Sequence, residues 1–285
     1  MTFKAYDSDN FYFDDDGHPI VHESYCAIID LLGFTALTKH SDTHNSLDAL
    51  LQQIYKALSD GTQHLAGLEQ YYKVFSDNLV IVHPRRDEWR DAESEFGRIA
   101  RSVLDYQMQL ASAGFFTRGA LAFGHLHFSE KVIFGMPIID AHETETARSV
   151  FPRIVLHRSA LDKLHEQIRS YASVLYAPHR HHLLLDSDGE VFLNYLSSLI
   201  PDSDVLFEDG LKDHQRHIEA ALLEHQGNQH VFEKYIWLAA YHNFFCEQFA
   251  RLPASRWGID IEEYLIQHPA SSRFRAIDEL FTEPR

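Results

Sequence analysis

Tyr25-Cys26-Ala27-Ile28-Ile29-Asp30-Leu31-Leu32-Gly33-Phe34-Thr35 decides how the 285-residue chain reads. Tyr25 to Leu32 is apolar apart from one carboxylate and stops at a glycine, the pattern of a strand buried on both faces that ends in a turn. An ionised Asp30 among Ile and Leu is costly to bury unless a cation meets it, so something positive is expected there. The strand also runs straight into Gly33-Phe34-Thr35 and a helix, whose backbone N–H groups can hold phosphate oxygens.

Outward from this strand, the stretch 35–66 has helical spacing (Leu47, Leu50, Leu51, Ile54, Leu58), with Asp42 or Thr43 as caps. Two short strands, 68–75 and 79–83, joined at Ser76-Asp77, read as a hairpin. An amphipathic helix is expected over 87–113, strands over 116–127 and 131–134, a helix over 137–149 and a strand over 153–157. The alternation predicts an α+β fold: a mixed sheet covered by helices on one face, related to the ferredoxin-like arrangement. Residues 1–22 read as an acidic N-terminal extension, 23–158 as the catalytic domain, and 159–285 as a mostly helical C-terminal extension packed on it, with a hairpin around Asp186-Ser187-Asp188-Gly189.

Lys plus Arg total 25 against 42 Asp plus Glu, a formal charge of -17, to which the 20 histidines return about +5 at pH 7. That field repels nucleic-acid backbones and anionic membranes, and no basic stripe offsets it. No apolar run is long enough to span a bilayer and the N-terminus is acidic, so a cytoplasmic protein is expected, with no nucleic-acid or membrane partner. Cys26 and Cys246 lie far apart in apolar stretches and read as buried thiols.

Asp77 supplies a second carboxylate, at the hairpin tip. Alone, Asp77 reads as a turn former and Asp30 as either a ligand or half of a buried salt bridge. Together, beside a phosphate-binding turn, they read as a pair that would hold two divalent ions.

These residues resemble a known family. Asp30-Leu31-Leu32-Gly33-Phe34-Thr35 looks like the D-x-x-G-F-[TS] motif of class III nucleotidyl cyclases, the adenylate and guanylate cyclase fold. Lys73-Val74-Phe75-Ser76-Asp77 resembles that family's K-x-x-G-D hairpin, Arg118 to Gly124 its R-x-G-I-x-x-G strand, and Phe134-Gly135 its aromatic-glycine pair. The resemblance covers about residues 23 to 158 and implies cyclisation of a nucleoside triphosphate. Asp30, Asp77 and the Leu31 carbonyl would hold two Mg or Mn ions, and Gly33, Phe34 and Thr35 would cradle the phosphates. Lys73 and Arg118 would serve nucleotide binding. Active sites between the two chains of a homodimer are also implied.

The chain departs from the family pattern in places. Ser76 replaces the hairpin glycine, which fits if that position has negative φ. Val132 stands where purine cyclases have a base-reading polar residue, so adenine and guanine are poorly supported. The family's V-N-x-x-A-R helix lacks its Asn and Arg, since Ile139 or Asp140 and Glu143 or Thr144 stand there. Arg148, one turn on, or Arg118 is the candidate catalytic cation. With Phe151-Pro152-Arg153-Ile154-Val155 and the tail from Glu233 to Asn243, these features resemble the bacterial pyrimidine cyclases of the Pycsar anti-phage systems. That implies UTP converted to cyclic UMP as a signal to a separately encoded effector. CTP converted to cyclic CMP, or a degenerate nucleotide-binding module, are the alternatives.

Overall fold

A computed structural model describes residues 11–63, 65, 70–85, 92–168, 179–200, 206–261 and 274–277. The first ten residues of the expected N-terminal extension, the start of the first hairpin strand (68–69) and the start of the second helix (87–91) lie outside the described residues, as do parts of the C-terminal extension.

β1 (His22–Leu31) is the strand expected from the Tyr25–Leu32 run. It lies between β3 (Asn78–Pro84) and β4 (Thr117–Phe128), antiparallel to both. β2 (Tyr71–Phe75) pairs with β3 across the two-residue turn Ser76-Asp77. The stretch 35–66 divides into α1 (Phe34–Thr43) and α2 (Leu47–Gln63), because Asn45 takes a left-handed φ of 53° and interrupts the backbone ladder. α3 (Ala92–Ser112) follows, and β5 (Ile133–Gly135) folds back on β4 before α4 (Met136–Arg148) and β6 (Ile154–Leu156), which runs parallel to β4.

Side chains alternate across a strand, so Tyr25 and Asp30 leave opposite faces of β1. Tyr25 meets Phe96 of α3 on one face. On the other, Arg118 beside Asp30 reaches Glu145 of α4. Helices therefore cover both faces rather than the one expected, and the carboxylate of β1 points into the α4 side.

The sheet does not stop at residue 158. After α5 (Arg158–Ile168) and α6 (His179–His182), β7 (Leu183–Leu185) and β8 (Val191–Leu193) extend it, β8 pairing with β6, and β9 (Arg275–Ala276) completes the order β2-β3-β1-β4-β6-β8-β7-β9. The β7–β8 hairpin is the one expected around Asp186 to Gly189, but strands of two or three residues are too short for alternation to assign them to this sheet.

A 3₁₀ turn (Tyr195–Leu199) leads to α7 (Glu208–Glu224), α8 (Gln229–Gln248) and α9 (Ala254–Trp257). α8 is fastened by two buried polar networks. In the first, the fully buried Arg153 guanidinium pairs with Asp186 and with Asp188 from the turn between β7 and β8, and the Trp237 indole N–H of α8 donates to Asp186 at 2.8 Å. In the second, the Trp257 carbonyl can only accept, which orders a whole chain of protons. His242 Nε2 donates to it at 2.9 Å, His214 Nδ1 donates to His242 Nδ1 at 3.0 Å, and the Tyr195 hydroxyl donates to His214 Nε2 at 2.6 Å. Burial lowers both imidazole pKa values, that of His242 to about 4, so both rings are neutral and the chain is satisfied throughout. The first network fastens α8 to the β6 and β7 end of the sheet, and the second fastens it to α7, α9 and the 3₁₀ turn.

Candidate active site

The strand registers assemble the site. Asp30, second to last in β1, pairs with Asn78 on one side and Arg118 on the other. Asn78 follows the hairpin turn, so the turn residue Asp77 comes within hydrogen-bonding reach of the Asp30 carboxyl. The two carboxylates singled out in the sequence thus meet at one end of the central strand.

Arg118 Nε donates to Asp30 Oδ2 at 3.1 Å, and its Nη2 lies 3.0 Å from Glu145 Oε1. The guanidinium is the cation that a buried Asp30 required. It does not satisfy the centre, because Asp30 and Glu145 share this one guanidinium and Asp77 adds a third carboxylate beside Asp30. Burial raises the Asp30 pKa to about 6 against the opposing pull of Arg118, and Asp77 adds to the rise. A carboxylate settled in a simple salt bridge would shift the other way. The excess of negative charge fits a divalent cation.

Two carboxylates and a nearby backbone carbonyl suit Mg or Mn, which are commonly held by one or two carboxylates with substrate phosphate and water completing the shell. Leu31, whose carbonyl is the expected third ligand, is the last residue of β1. Among the described residues no group of three or more His, Cys, Asp or Glu is disposed to hold a metal ion, so the ligands beyond this pair would come from the backbone and the substrate.

Next to the carboxylates the chain turns at Gly33, whose φ of 78° is left-handed and favours glycine. Gly33 caps α1 without a side-chain hydrogen bond, and the first helical bond runs from the Leu37 N–H to the Gly33 carbonyl. The amides of Phe34, Thr35 and Ala36 stand ahead of that bond, and Gly33, Thr35 and Ala36 are exposed. Phe34 packs against the core and anchors the turn. Gly119, after Arg118, serves a different need: a Cβ there would lie 2.1 Å from the Ile28 carbonyl oxygen, so only glycine lets β4 approach β1 beside the site.

Ser76 does not have the negative φ that would make it a simple replacement for glycine. Its φ is 55°, in the left-handed region that L residues enter at a cost. The strained position directly precedes Asp77. Ser76→Gly is expected to raise stability by roughly 0.5–1 kcal/mol in urea unfolding, since glycine takes this conformation freely.

The other expected site residues are placed as follows. Lys73 lies on the Asp30 face, its Nζ donating to the Glu130 carbonyl at 2.7 Å and sitting 5.0 Å from the Phe75 ring centroid. Val132 is 48% exposed in the turn before β5. Arg148 is held by Glu190 of the β7–β8 turn, Nε to Oε1 at 2.7 Å with Nη2 on Oε2. Arg118, and not Arg148, is therefore the arginine that the structure brings to Asp30. Sequence reasoning assigned Glu145 no role, and its ion pair with Arg118 is what brings it to the site.

No protein-family model matches the sequence, and no curated protein matches it. Solved structures do resemble it. A class III adenylyl cyclase-like ATP-binding protein from Pseudomonas aeruginosa is 14% identical, over 57% of this chain and 39% of that one, with a TM-score of 0.43. The adenylyl cyclase CyaB from the same species is 12% identical, over 61% of this chain and 93% of that one, with a TM-score of 0.43. The monomeric guanylyl cyclase domain of the RhoGC fusion protein from the aquatic fungus Blastocladiella emersonii is 13% identical, over 60% of this chain and 94% of that one, with a TM-score of 0.43.

Proposed function

We propose that the chain is a nucleotidyl cyclase that converts UTP into 3′,5′-cyclic UMP and pyrophosphate. The observation that carries this reading is the meeting of the Asp30 and Asp77 carboxylates beside the exposed amides of the Gly33 turn. One end of that arrangement suits cations and the other suits phosphate oxygens, the two needs of a metal-bound triphosphate. Divalent ions, when bound, supply positive charge at the α-phosphate and ease loss of the ribose 3′-hydroxyl proton.

The chain's own residues do the positioning. Asp30 and Asp77 would hold the cations and the amides of Phe34 and Thr35 would take phosphate oxygens, while Arg118 donates to Asp30 and favours its ionised form. In the reaction the 3′-oxygen forms a bond to the α-phosphorus, the bond from that phosphorus to the bridging oxygen breaks, pyrophosphate leaves, and the hydroxyl proton passes to solvent.

The pyrimidine assignment rests on what is missing for a purine: Val132 offers no side-chain hydrogen bond, and the Lys73 ammonium is turned to the Glu130 carbonyl. UTP over CTP follows the resemblance to the Pycsar cyclases, as does an anti-phage role in which the product signals to a separate effector. A homodimer is supported by the large apolar residues exposed along β5 and the start of α4, Val132, Phe134, Met136 and Ile139. Among the described residues no helix is long and apolar enough to cross a membrane.

A degenerate nucleotide-binding module is the second reading, favoured by the engagement of Arg148 with Glu190. Incubation with each of the four ribonucleoside triphosphates and Mn, with products identified by mass, separates the readings. Cyclic UMP is expected as the main product; a product from ATP or GTP alone refutes the pyrimidine assignment, and binding without any product supports the module.

A further inference from the structure

Arg118 meets Asp30 through a single hydrogen bond, Nε to Oδ2 at 3.1 Å. A guanidinium can bind a carboxylate more strongly than this, by a side-on fork in which Nε and Nη2 each take one oxygen. Here Nη2 lies 3.0 Å from Glu145 Oε1 instead, as an ion pair and not an aligned hydrogen bond. Arg118 thus occupies Oδ2 of Asp30 and not Oδ1.

Glu145 is held where it can keep Nη2 away. Its side chain is only 7% exposed, and the Thr146 hydroxyl donates to its Oε2 at 3.1 Å. Ala141 and Thr144 bury the same side of α4, and Arg148, the last residue of that helix, is clamped by Glu190. The carboxylate therefore comes from a fixed helix. A fork closed on Asp30 would engage both of its oxygens and compete with a cation for them.

We infer that Glu145 is a positioning residue: by holding Nη2 of Arg118 it keeps the guanidinium off the second oxygen of Asp30, which stays open to a divalent cation. Arg118 then anchors Asp30 without sequestering it. The inference rests on the cyclase reading for the cation that Asp30 and Asp77 would hold, and the test reads that cation without nucleotide. Mn binding to the full chain is measured by calorimetry for the wild type, Glu145→Leu, Glu145→Gln, Arg118→Lys and the Glu145→Leu, Arg118→Lys double variant. Thermal unfolding and UTP turnover are followed on each.

Glu145→Leu strands no charge, because Arg118 keeps Asp30, so it is expected to fold. Its Mn affinity should fall about ten- to a hundredfold as the fork closes, and high Mn should recover part of the turnover. Glu145→Gln keeps an acceptor for Nη2 and should lose less; it carries the test if Glu145→Leu does not fold. A lysine ammonium cannot form the fork, so adding Glu145→Leu to Arg118→Lys should change Mn affinity by less than about threefold. If this coupling appears while the wild type cyclises no nucleotide, the cyclase reading fails and the role of Glu145 stands. An equal loss in both backgrounds would mean that Glu145 acts through its own charge. That result, an unchanged affinity in Glu145→Leu, or a wild type that binds no Mn would each overturn the inference.

Discussion

Asp77→Asn should leave the protein folded and lower cyclase turnover by about 10³-fold or more. Asp77 sits in a partly exposed hairpin turn, and its charge raises the pKa of Asp30. Removing that charge relieves a repulsion, so urea unfolding should show equal or slightly higher stability. What is lost is half of the carboxylate pair. Calorimetric titration with Mn should show weakened binding in the same variant, separating loss of the ion from loss of the fold.

The titration should also depend on pH in a definite direction. Asp30 has a folded pKa raised to about 6, so below pH 6 a proton competes with the cation and the apparent Mn affinity falls as pH drops. The decline approaches tenfold per pH unit once Asp30 is mostly protonated, about 1.4 kcal/mol per unit. Asp30→Asn should abolish that pH dependence together with most of the binding. Wild-type activity in Asp77→Asn would remove the two-carboxylate mechanism.

The largest effect on stability is expected at Arg153. Its guanidinium is fully buried between Asp186 and Asp188, with the rings of Phe151, Phe192 and Trp237 at 5.4 to 5.9 Å. Arg153→Met keeps the volume but leaves Asp186, only 1% exposed, as an unpaired buried charge. Breaking a buried pair in this way costs about 3–5 kcal/mol, a large part of the stability of an ordinary domain. Thermal and urea unfolding should both show the loss. Arg153→Met combined with Asp186→Asn should recover part of it, because the stranded charge is gone. The loss would extend to α8, because the Trp237 indole donates to Asp186 and loses part of its anchor when that carboxylate moves.

The site was legible where chemistry and local geometry coincide in a short stretch. Asp30 stands out because a charge in an apolar strand must be compensated, and Gly33 because a strand that stops at a glycine needs a left-handed turn. Asp77 and Arg118 followed from the hairpin and strand motifs, and the registers then place both beside Asp30. Ser76 was read as an easy exchange, since nothing in the sequence reports its φ. Arg148 was a reasonable cation on α4 until its partner Glu190 came from a turn far along the chain. The pairing of Glu145 with Arg118 was not legible for the same reason: it exists only where α4 folds against β4. The β7–β8 hairpin was legible from its turn residues, but its joining of the sheet through β6 was not, because strands of two or three residues show no period that assigns them to a sheet.

The most direct test follows the phosphorus atoms. Wild-type protein, Mn and UTP are observed by phosphorus NMR as the reaction proceeds. The expected result is one pyrophosphate released for each cyclic phosphodiester formed, with Asp77→Asn silent. Release of orthophosphate without a cyclic product would mean a phosphohydrolase, and it would contradict attack of the 3′-oxygen at the α-phosphorus beside Asp30 and Asp77.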